Sequence, residues 1–440
     1  MCDIVSHKMH KALKVRLYPS EKQKVILDKT FGCCRVVYNE RLAEHIDYYN
    51  TYKANPNRPK FKGTLPKELR EKKYPWLGED TISEALMQSQ RNCESAYSNF
   101  FNSIKKQRKG KKVGYPKFKS KKSHKDSFTL YMIKMDDLVD FNSKTIFIPK
   151  LKNTKFRIAN SSLKSKWIEW FLEAIPLNMT ISRNACGEYY CSILFEREQD
   201  LEQNIILSNS IGLDFSPNNL YIDSNNNSAP NYKPYKQLNN KKLTKLQRRL
   251  SRKQKGSNNH EKARVKLARF EKHIADSRKD YIEKETLRLV RTYDVIGIED
   301  LNLQGMMKFS HNAKNYVDTS WYTFTQKLLW KSQFNNCIIV KSDRFYPSSK
   351  TCNHCGYVNQ NLTLKDRKWI CPNCGTEILR DENAGRNLKD NAINLLTEEI
   401  NSVLGMEHTK VMSMEGMEAT YLNGMLSGVS YEVENAKSLA

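Results

Sequence analysis

The sequence predicts a multidomain α+β chain: a sheet domain interrupted by helices, then a region of short buried strands and long helices that carries a metal-binding insertion. Three observations predict it. Period-two alternation gives way to helical spacing and then returns. Two short apolar strands further on end in acids. Two cysteine pairs at metal-ligand spacing follow.

The elements are read in order. "MHKALKVRLYP" (9–19) alternates apolar and polar residues and stops at a proline, as a strand does. Ser20 is placed as a helix N-cap, and helical spacing continues to about residue 108 with a break at "KANPNRPKFKGTLP" (53–66). "KKVGYPKFKSKKSHKDSF" (111–128) is a basic loop with aromatics interleaved, and residues 128–200 read mostly as strands. "NSIGLDFSPNNLYIDS" reads as two short strands around a turn. Residues 235–292 form two long helices separated at "KGSNN", with Leu243, Leu246, Leu250, Leu267, Phe270 and Ile274 spaced to pack them together. "YDVIGIEDLN" and "NNCIIVKSD" are further short strands. Beyond about residue 396 no consistent period is present, and a tail in part without regular structure is expected.

Lys and Arg number 74 against 48 Asp and Glu, a formal net charge of +26 over 440 residues. That excess suits a polyanionic partner, nucleic acid first, because each neutralised phosphate releases counterions. The alternative is a well-solvated basic surface. The N-terminus lacks the apolar core of a signal peptide, and no run approaches the roughly 20 apolar residues of a membrane span. Eleven cysteines, an odd number, do not suggest a secreted disulfide framework, so a reducing cytoplasm with no membrane partner is expected.

Cys352, Cys355, Cys371 and Cys374 form C-x2-C-x15-C-x2-C. Gly356 and Gly375 supply permissive backbone just after each pair. Four thiolates complete a tetrahedral Zn²⁺ and leave no open position for substrate, so the site reads as structural. The remaining cysteines (2, 33, 34, 93, 186, 191 and 337) show no ligand spacing.

Three acids raise a different question. Asp214 lies in "IGLDFS", Glu299 ends "VIGIE", and Asp381 opens the apparent helix "RDENAGRNL". Asp381 taken alone fits a helix cap or dipole partner. An acid at the end of a buried strand costs stability unless it is paired or binds metal. Strand, strand-end and helix-start acids are also what an RNase H-like sheet uses to hold two Mg²⁺ ions at a scissile phosphate. Asp300, on the opposite strand face from Glu299, and Asp223, after a later strand, are lower-ranked rivals.

At these residues the chain resembles the TnpB family of transposon-encoded RNA-guided DNA nucleases, relatives of compact type V CRISPR effectors. The resemblance is carried by "RLYPSEKQKVIL", "FGCCRVVYNERL", "YPKFKSKK", "GLDFSPNNLYID", "KGSNNHEKARVKLARFEKHIADSRKDYIEK", "VIGIEDLNLQGMM", "DRFYPSSKTCNHCG" and "CPNCGTEILRDENAGRNL", spread in order over most of residues 10–390. It implies a wedge-like β-barrel (1–19 and 111–204) with an inserted helical recognition bundle (20–110). A RuvC-like nuclease domain (205–395) with an inserted zinc ribbon (345–378) then follows. It implies Asp214, Glu299 and Asp381 as Mg²⁺-binding catalytic acids, with a guide RNA and a duplex DNA target bearing a short flanking motif as partners. A monomer is the expected state. Tyr115, Lys117, Phe118, Lys119, Lys121, Lys122, Arg248, Arg249, Arg252, Lys253 and Lys255 are candidate nucleic-acid contacts; the alternative is a solvated basic surface. Two departures stand out. "DFSPNN" lacks the glycine the family often has after its first aspartate, and Ile378-Leu379 precede Arg380-Asp381 where His-Asp is frequent. A CRISPR effector of the same mechanism and a guided repressor that does not cut are the competing functions, and the intact acids weigh against the repressor.

Overall fold

The computed structural model describes the chain except residues 1–7, 54, 56, 58, 109, 111, 124, 132–137, 158–164, 199–201, 217, 230–232, 304, 307–319, 364, 405–416, 423–424 and 432–440. Cys2 lies outside the described residues. The chain divides into two compact units, residues 1–199 with 264–269, and 200–263 with 270–440.

In the first unit strand β1 (Lys8–Leu17) leads through Pro19 into helix α1 (Glu21–Tyr52). Ser20 caps it with a full capping box: its hydroxyl accepts from the Gln23 N–H, and the Gln23 side chain accepts from the Ser20 N–H. Helices α2 (Pro66–Lys72) and α3 (Ser83–Ile104) follow, and α1 and α3 bury Leu27, Phe31, Val37, Leu42, Ala85, Leu86 and Cys93. The chain then returns to the sheet through β2 (Asp126–Tyr131), β3 (Val139–Asp140), β4 (Thr145–Ile148) and β5 (Lys152–Arg157). A short helix α4 (Ser165–Leu172) precedes β6 (Ile175–Arg183) and β7 (Tyr189–Glu198). The seven strands form an antiparallel sheet in the order β2-β6-β7-β1-β5-β4-β3. Among the described residues no pairing joins its edge strands β2 and β3. The alternation legible in the sequence places Leu13, Val15 and Leu17 of β1 in the core, opposite Ile193, Cys191 and Tyr189 of β7.

The second unit opens with β8 (Glu202–Ile206), β9 (Ser210–Phe215), β10 (Tyr221–Asp223) and β11 (Ser228–Ala229). Two long helices, α5 (Lys233–Ser251) and α6 (Asn258–Thr292), separate them from β12 (Val295–Glu299). Helix α7 (Trp321–Ser332) leads to β13 (Ile338–Ser342). The hairpin β14 (Lys368–Ile370) and β15 (Glu377–Leu379) runs directly into α8 (Arg380–Leu404). The central sheet has the order β11-β10-β9-β12-β13, with β9, β12 and β13 parallel and the β10–β11 end antiparallel.

Both faces of this sheet are covered, which is why its central strands read as nearly continuous apolar runs. Ile211, Leu213, Ile296 and Ile298 face a core built with Ile282 and Leu289 of α6 and Phe324 and Leu328 of α7. The opposite face packs Val295 against Ala392, Leu396 and Ile400 of α8. Those last residues recur every four positions, so helical structure continues past 396, where the sequence suggested an irregular tail. Strands β16 (Met417–Leu422) and β17 (Met425–Tyr431) then pair as a hairpin, and β16 adds to β8. Within the expected tail, the residues to 404 end α8 and the two strands form a pair, while 405–416, 423–424 and 432–440 lie outside the described residues; the attachment to β8, over 200 residues upstream, is beyond the reach of a local pattern.

Candidate functional site

Asp214 and Glu299 sit at the carboxyl ends of adjacent parallel strands. Leu213 is in register with Ile298, so the next residues, Asp214 and Glu299, are neighbours. Side chains alternate along a strand, so Asp214 shares a face with Gly212, and Glu299 with Gly297. On that face α8 lies against bare backbone. A Cβ at Gly212 would stand 1.9 Å from the Gly385 carbonyl oxygen, and one at Gly297 would stand 2.2 Å from that of Leu388. One at Gly385 would stand 2.8 Å from the Ser224 nitrogen. Three glycines thus let helix and sheet touch, and Asp381, about one turn before Gly385, is delivered over the strand ends.

The electrostatics show that the three acids share one field. Asp214 has its carboxyl pKa held well above the usual carboxylate range, first by burial, then by the carboxylates of Glu299 and Asp381; Arg380 and Arg367 act in the opposite sense. Burial likewise raises Glu299, against the Ser348 hydroxyl and Arg380. Clustered carboxylates of this kind call for cations, and an all-oxygen donor set fits a hard divalent ion such as Mg²⁺. Among the described residues only the four cysteines bring three or more such ligand atoms within 4.8 Å of one another, so the carboxylates are spread more widely than that.

Two of the three acids are held by specific neighbours. The Ser348 hydroxyl donates to Glu299 Oε1 at 2.5 Å, and Ser348 is buried. Its carbonyl accepts from Asn387 Nδ2 at 2.7 Å, and the Thr351 carbonyl accepts from Asn387 and Asn383, each at 2.7 Å. Arg367 Nη1 reaches both oxygens of Asp381, at 3.1 and 3.3 Å. Ser348, Asn387 and Arg367 were not singled out in the sequence. The one local hint is Asn383 and Asn387 at i,i+4 on the helix that starts with Asp381.

The rival acids are engaged otherwise. Asp223 Oδ1 accepts from the backbone N–H groups of Asn225 (2.9 Å) and Asn227 (2.8 Å), closing its own turn. Asp300 is paired with the Arg344 guanidinium.

The four cysteine sulfurs converge. Cys352 and Cys374 Sγ are 3.7 Å apart, and Cys355 and Cys371 Sγ 3.5 Å. Tetrahedral zinc with Zn–S of about 2.3 Å requires sulfur separations of about 3.8 Å, so the set fits that ion. Gly356 (φ +74°) and Gly375 (φ +70°) are left-handed, as the knuckles need. Thr376, through its hydroxyl and backbone N–H, lowers the Cys374 thiol to about 6, which favours the thiolate a metal takes. Trp369, Ile378, Cys352 and Cys371 make the small core of this ribbon. The other described cysteines are buried and form no disulfide among the described residues.

Of the basic candidates, Arg248, Arg249, Arg252 and Lys253 line a groove of about 840 Å³ along α5 together with Lys241 and Lys245, and Lys255 follows in the exposed turn. Leu246 and Phe270 are buried as the helical spacing predicted. Lys117, Phe118, Lys121 and Lys122 are exposed. Tyr115 is exposed but packs edge-on to Phe100 at 5.1 Å, and the Lys119 ammonium lies 4.0 Å from the Tyr38 ring centroid. No helix among the described residues is long and apolar enough to cross a membrane.

Comparison with known proteins places these features in context. Family models match residues 192–310 ("Probable transposase"), 321–388 ("Cas12f1-like, TNB domain") and 9–54 ("Helix-turn-helix domain"). In this chain the last stretch is a strand and one continuous 32-residue helix. A Streptomyces pristinaespiralis protein named "Putative RNA-guided DNA endonuclease" is 30% identical over 381 residues, covering 86% of this chain and 88% of that one. The Escherichia coli protein "Putative RNA-guided DNA endonuclease InsQ" is 28% identical over 393 residues, covering 86% and 91%. A solved Cas12f1–sgRNA–target DNA complex aligns over 87% of this chain and 99% of that one, with 12% identity and a TM-score of 0.49. With 30% identity to the Streptomyces pristinaespiralis relative sustained across most of both chains, the protein belongs to the TnpB family.

Proposed function

We propose that this protein is an RNA-guided DNA endonuclease that hydrolyses target DNA at Asp214, Glu299 and Asp381. The observation that carries the reading is the meeting of those three acids: two adjacent strand ends and one helix start, far apart in sequence, share one electrostatic field. The names of the relatives, both RNA-guided DNA endonucleases, support the same activity. The first unit then holds the recognition bundle (20–110) and the wedge-like barrel (1–19, 111–204) up to residue 199, the last residues of that range, with β8, falling in the second unit. The second contains a RuvC-like nuclease domain (205–395) and its zinc ribbon (345–378), with Cys352, Cys355, Cys371 and Cys374 on Zn²⁺.

Two Mg²⁺ ions held by the three acids would supply activated water and neutralise the leaving oxygen. The protein's own part is placement. Ser348 fixes Glu299, and Arg367 fixes Asp381 from the ribbon side. Burial and the carboxylates of Glu299 and Asp381 disfavour the charged form of Asp214, which bound cations would offset. The closed cysteine site holds structure and takes no part in hydrolysis. The basic groove on α5 and the loop at 115–122 suit the sugar–phosphate backbone of the guide RNA and its heteroduplex, where shape is read by protein and sequence by base pairing.

The test is Asp381→Ala in guide-loaded protein. Cleavage of a matched duplex should vanish while guide RNA and target remain bound. Cutting at the normal rate by that variant would refute the assignment. Target binding by wild type without cutting in Mg²⁺ would point instead to a guided repressor.

A further inference from the structure

Phe345 leaves 88% of its surface in water. The loop that carries it is pinned. Arg344 binds the carboxylate of Asp300, and Ser348 donates to Glu299 Oε1 at 2.5 Å, so both ends are fastened to consecutive acids at the end of β12. Between them, Asp343 Oδ1 accepts from the Phe345 N–H at 2.8 Å, and the Tyr346 hydroxyl donates to the Asn387 carbonyl of α8 at 3.3 Å. Tyr346 and Ser348 are turned toward the fold while the apolar ring of Phe345 faces water, the reverse of the usual arrangement. A loop held at this many points cannot fold the ring away, so the ring stays at the rim of the acid site. Two residues lie between it and Ser348, so the two Cα atoms are within about 11 Å even if the chain is fully extended.

What would cover such a ring is set by its surroundings. Lys341 and Lys350 bracket the loop in sequence and suit phosphates. A flat, exposed aromatic a few residues from acids that act on a phosphodiester matches a strand whose bases have been unpaired. Stacking tolerates any base, because every base has a π face, and that is what a guided enzyme with changing targets needs. We infer that Phe345 stacks on a nucleobase of the single DNA strand being presented to Asp214, Glu299 and Asp381; this rests on the endonuclease reading above.

The test uses full-length, guide-loaded protein and a target strand carrying 2-aminopurine at successive positions around the cut, in EDTA so that nothing is hydrolysed. Wild type and Phe345→Tyr should quench the probe at one or two positions. Phe345→Ala and Phe345→Leu should not, the leucine separating aromatic stacking from apolar bulk. In Mg²⁺, Phe345→Ala should raise KM about tenfold with kcat little changed, the size expected for one lost stack. Identical quenching and KM in wild type and Phe345→Ala would overturn the inference. A change in oligomeric state with unchanged quenching would also overturn it, by giving the ring to a protein interface. If Phe345 governs quenching but wild type never cuts, stacking stands and the nuclease reading falls. If wild type cuts and Phe345→Ala matches it in both readouts, only stacking falls.

Discussion

Ser348 donates its hydroxyl to Glu299 across 2.5 Å, and the same serine's carbonyl is held by Asn387 of α8. One buried residue therefore ties the end of β12, the approach to the zinc ribbon and the helix that begins with Asp381. Removing the hydroxyl should free Glu299 to rotate without opening a large cavity. Ser348→Ala is expected to cleave about 10–100-fold more slowly, the usual cost of losing a group that orients a metal ligand. The Mg²⁺ concentration for half-maximal cleavage should rise and guide RNA affinity should not. An unchanged Mg²⁺ titration would mean that Glu299 is held by other contacts.

The glycine contacts make a sharper structural prediction. Gly297→Ala would place a methyl 2.2 Å from a helix carbonyl, backbone against backbone, with no side chain able to yield. Either α8 lifts from the sheet or β12 shifts, and both move Asp381 away from Glu299. A loss of roughly 3 kcal/mol or more is expected, as for other overpacked sites. Gly32→Ala is the control: nothing lies within 4 Å of its new Cβ, and it sits inside α1, where alanine is favoured by about 1 kcal/mol. Thermal unfolding of both variants decides; equal melting temperatures would show that the close approach is not needed.

Removal of zinc should act on cutting more than on guide binding. Thr351 and Asn353 flank Cys352, and both are hydrogen-bonded to Asn383 of α8, at 2.7 and 3.0 Å. Loss of the cysteine cluster therefore loosens the contacts that place Ser348 and Asp381. In Cys374→Ser, cleavage should drop several times further than guide RNA affinity, measured on the same preparation. Equal losses would reduce the ribbon to a folding element.

What was legible in the sequence was local. Strands β9 and β12 announce themselves by apolar runs, and the knuckles by their spacing and glycines. The acids stand out because two of them follow apolar strand runs and the third opens a helix. The relations that make a site of them were not legible. Gly212 and Gly385 are 173 positions apart, and neither pattern nor propensity says that a helix backbone will rest on a strand there. Arg367 and Ser348 look like ordinary ribbon and loop residues until the fold brings them to Asp381 and Glu299. The β16–β17 hairpin had a local signal in the Asn423-Gly424 dipeptide, whereas its attachment to β8 had none.

The helical bundle carries a separate, acid-sensitive element in His45. Its ring is stacked between Phe61 and Tyr97, with centroids 4.0 and 4.2 Å away, and it is buried. Burial, with Arg41 beside it, lowers its pKa from 6.5 to about 4. The unfolded chain therefore takes up the proton first as pH falls below about 6.5, and stability is lost from there down towards pH 4. At pH 5 the cost reaches about 1–2 kcal/mol by this linkage. Phenylalanine keeps the stack and cannot bind the proton. Glu44 and Glu94, which pair with Arg41, remain in the variant and cancel in the comparison. Between pH 7 and pH 5 the melting temperature of wild type should fall further than that of His45→Phe, with the two converging at neutral pH. Parallel curves over that range would show that His45 takes up its proton as readily in the folded bundle as in the unfolded chain.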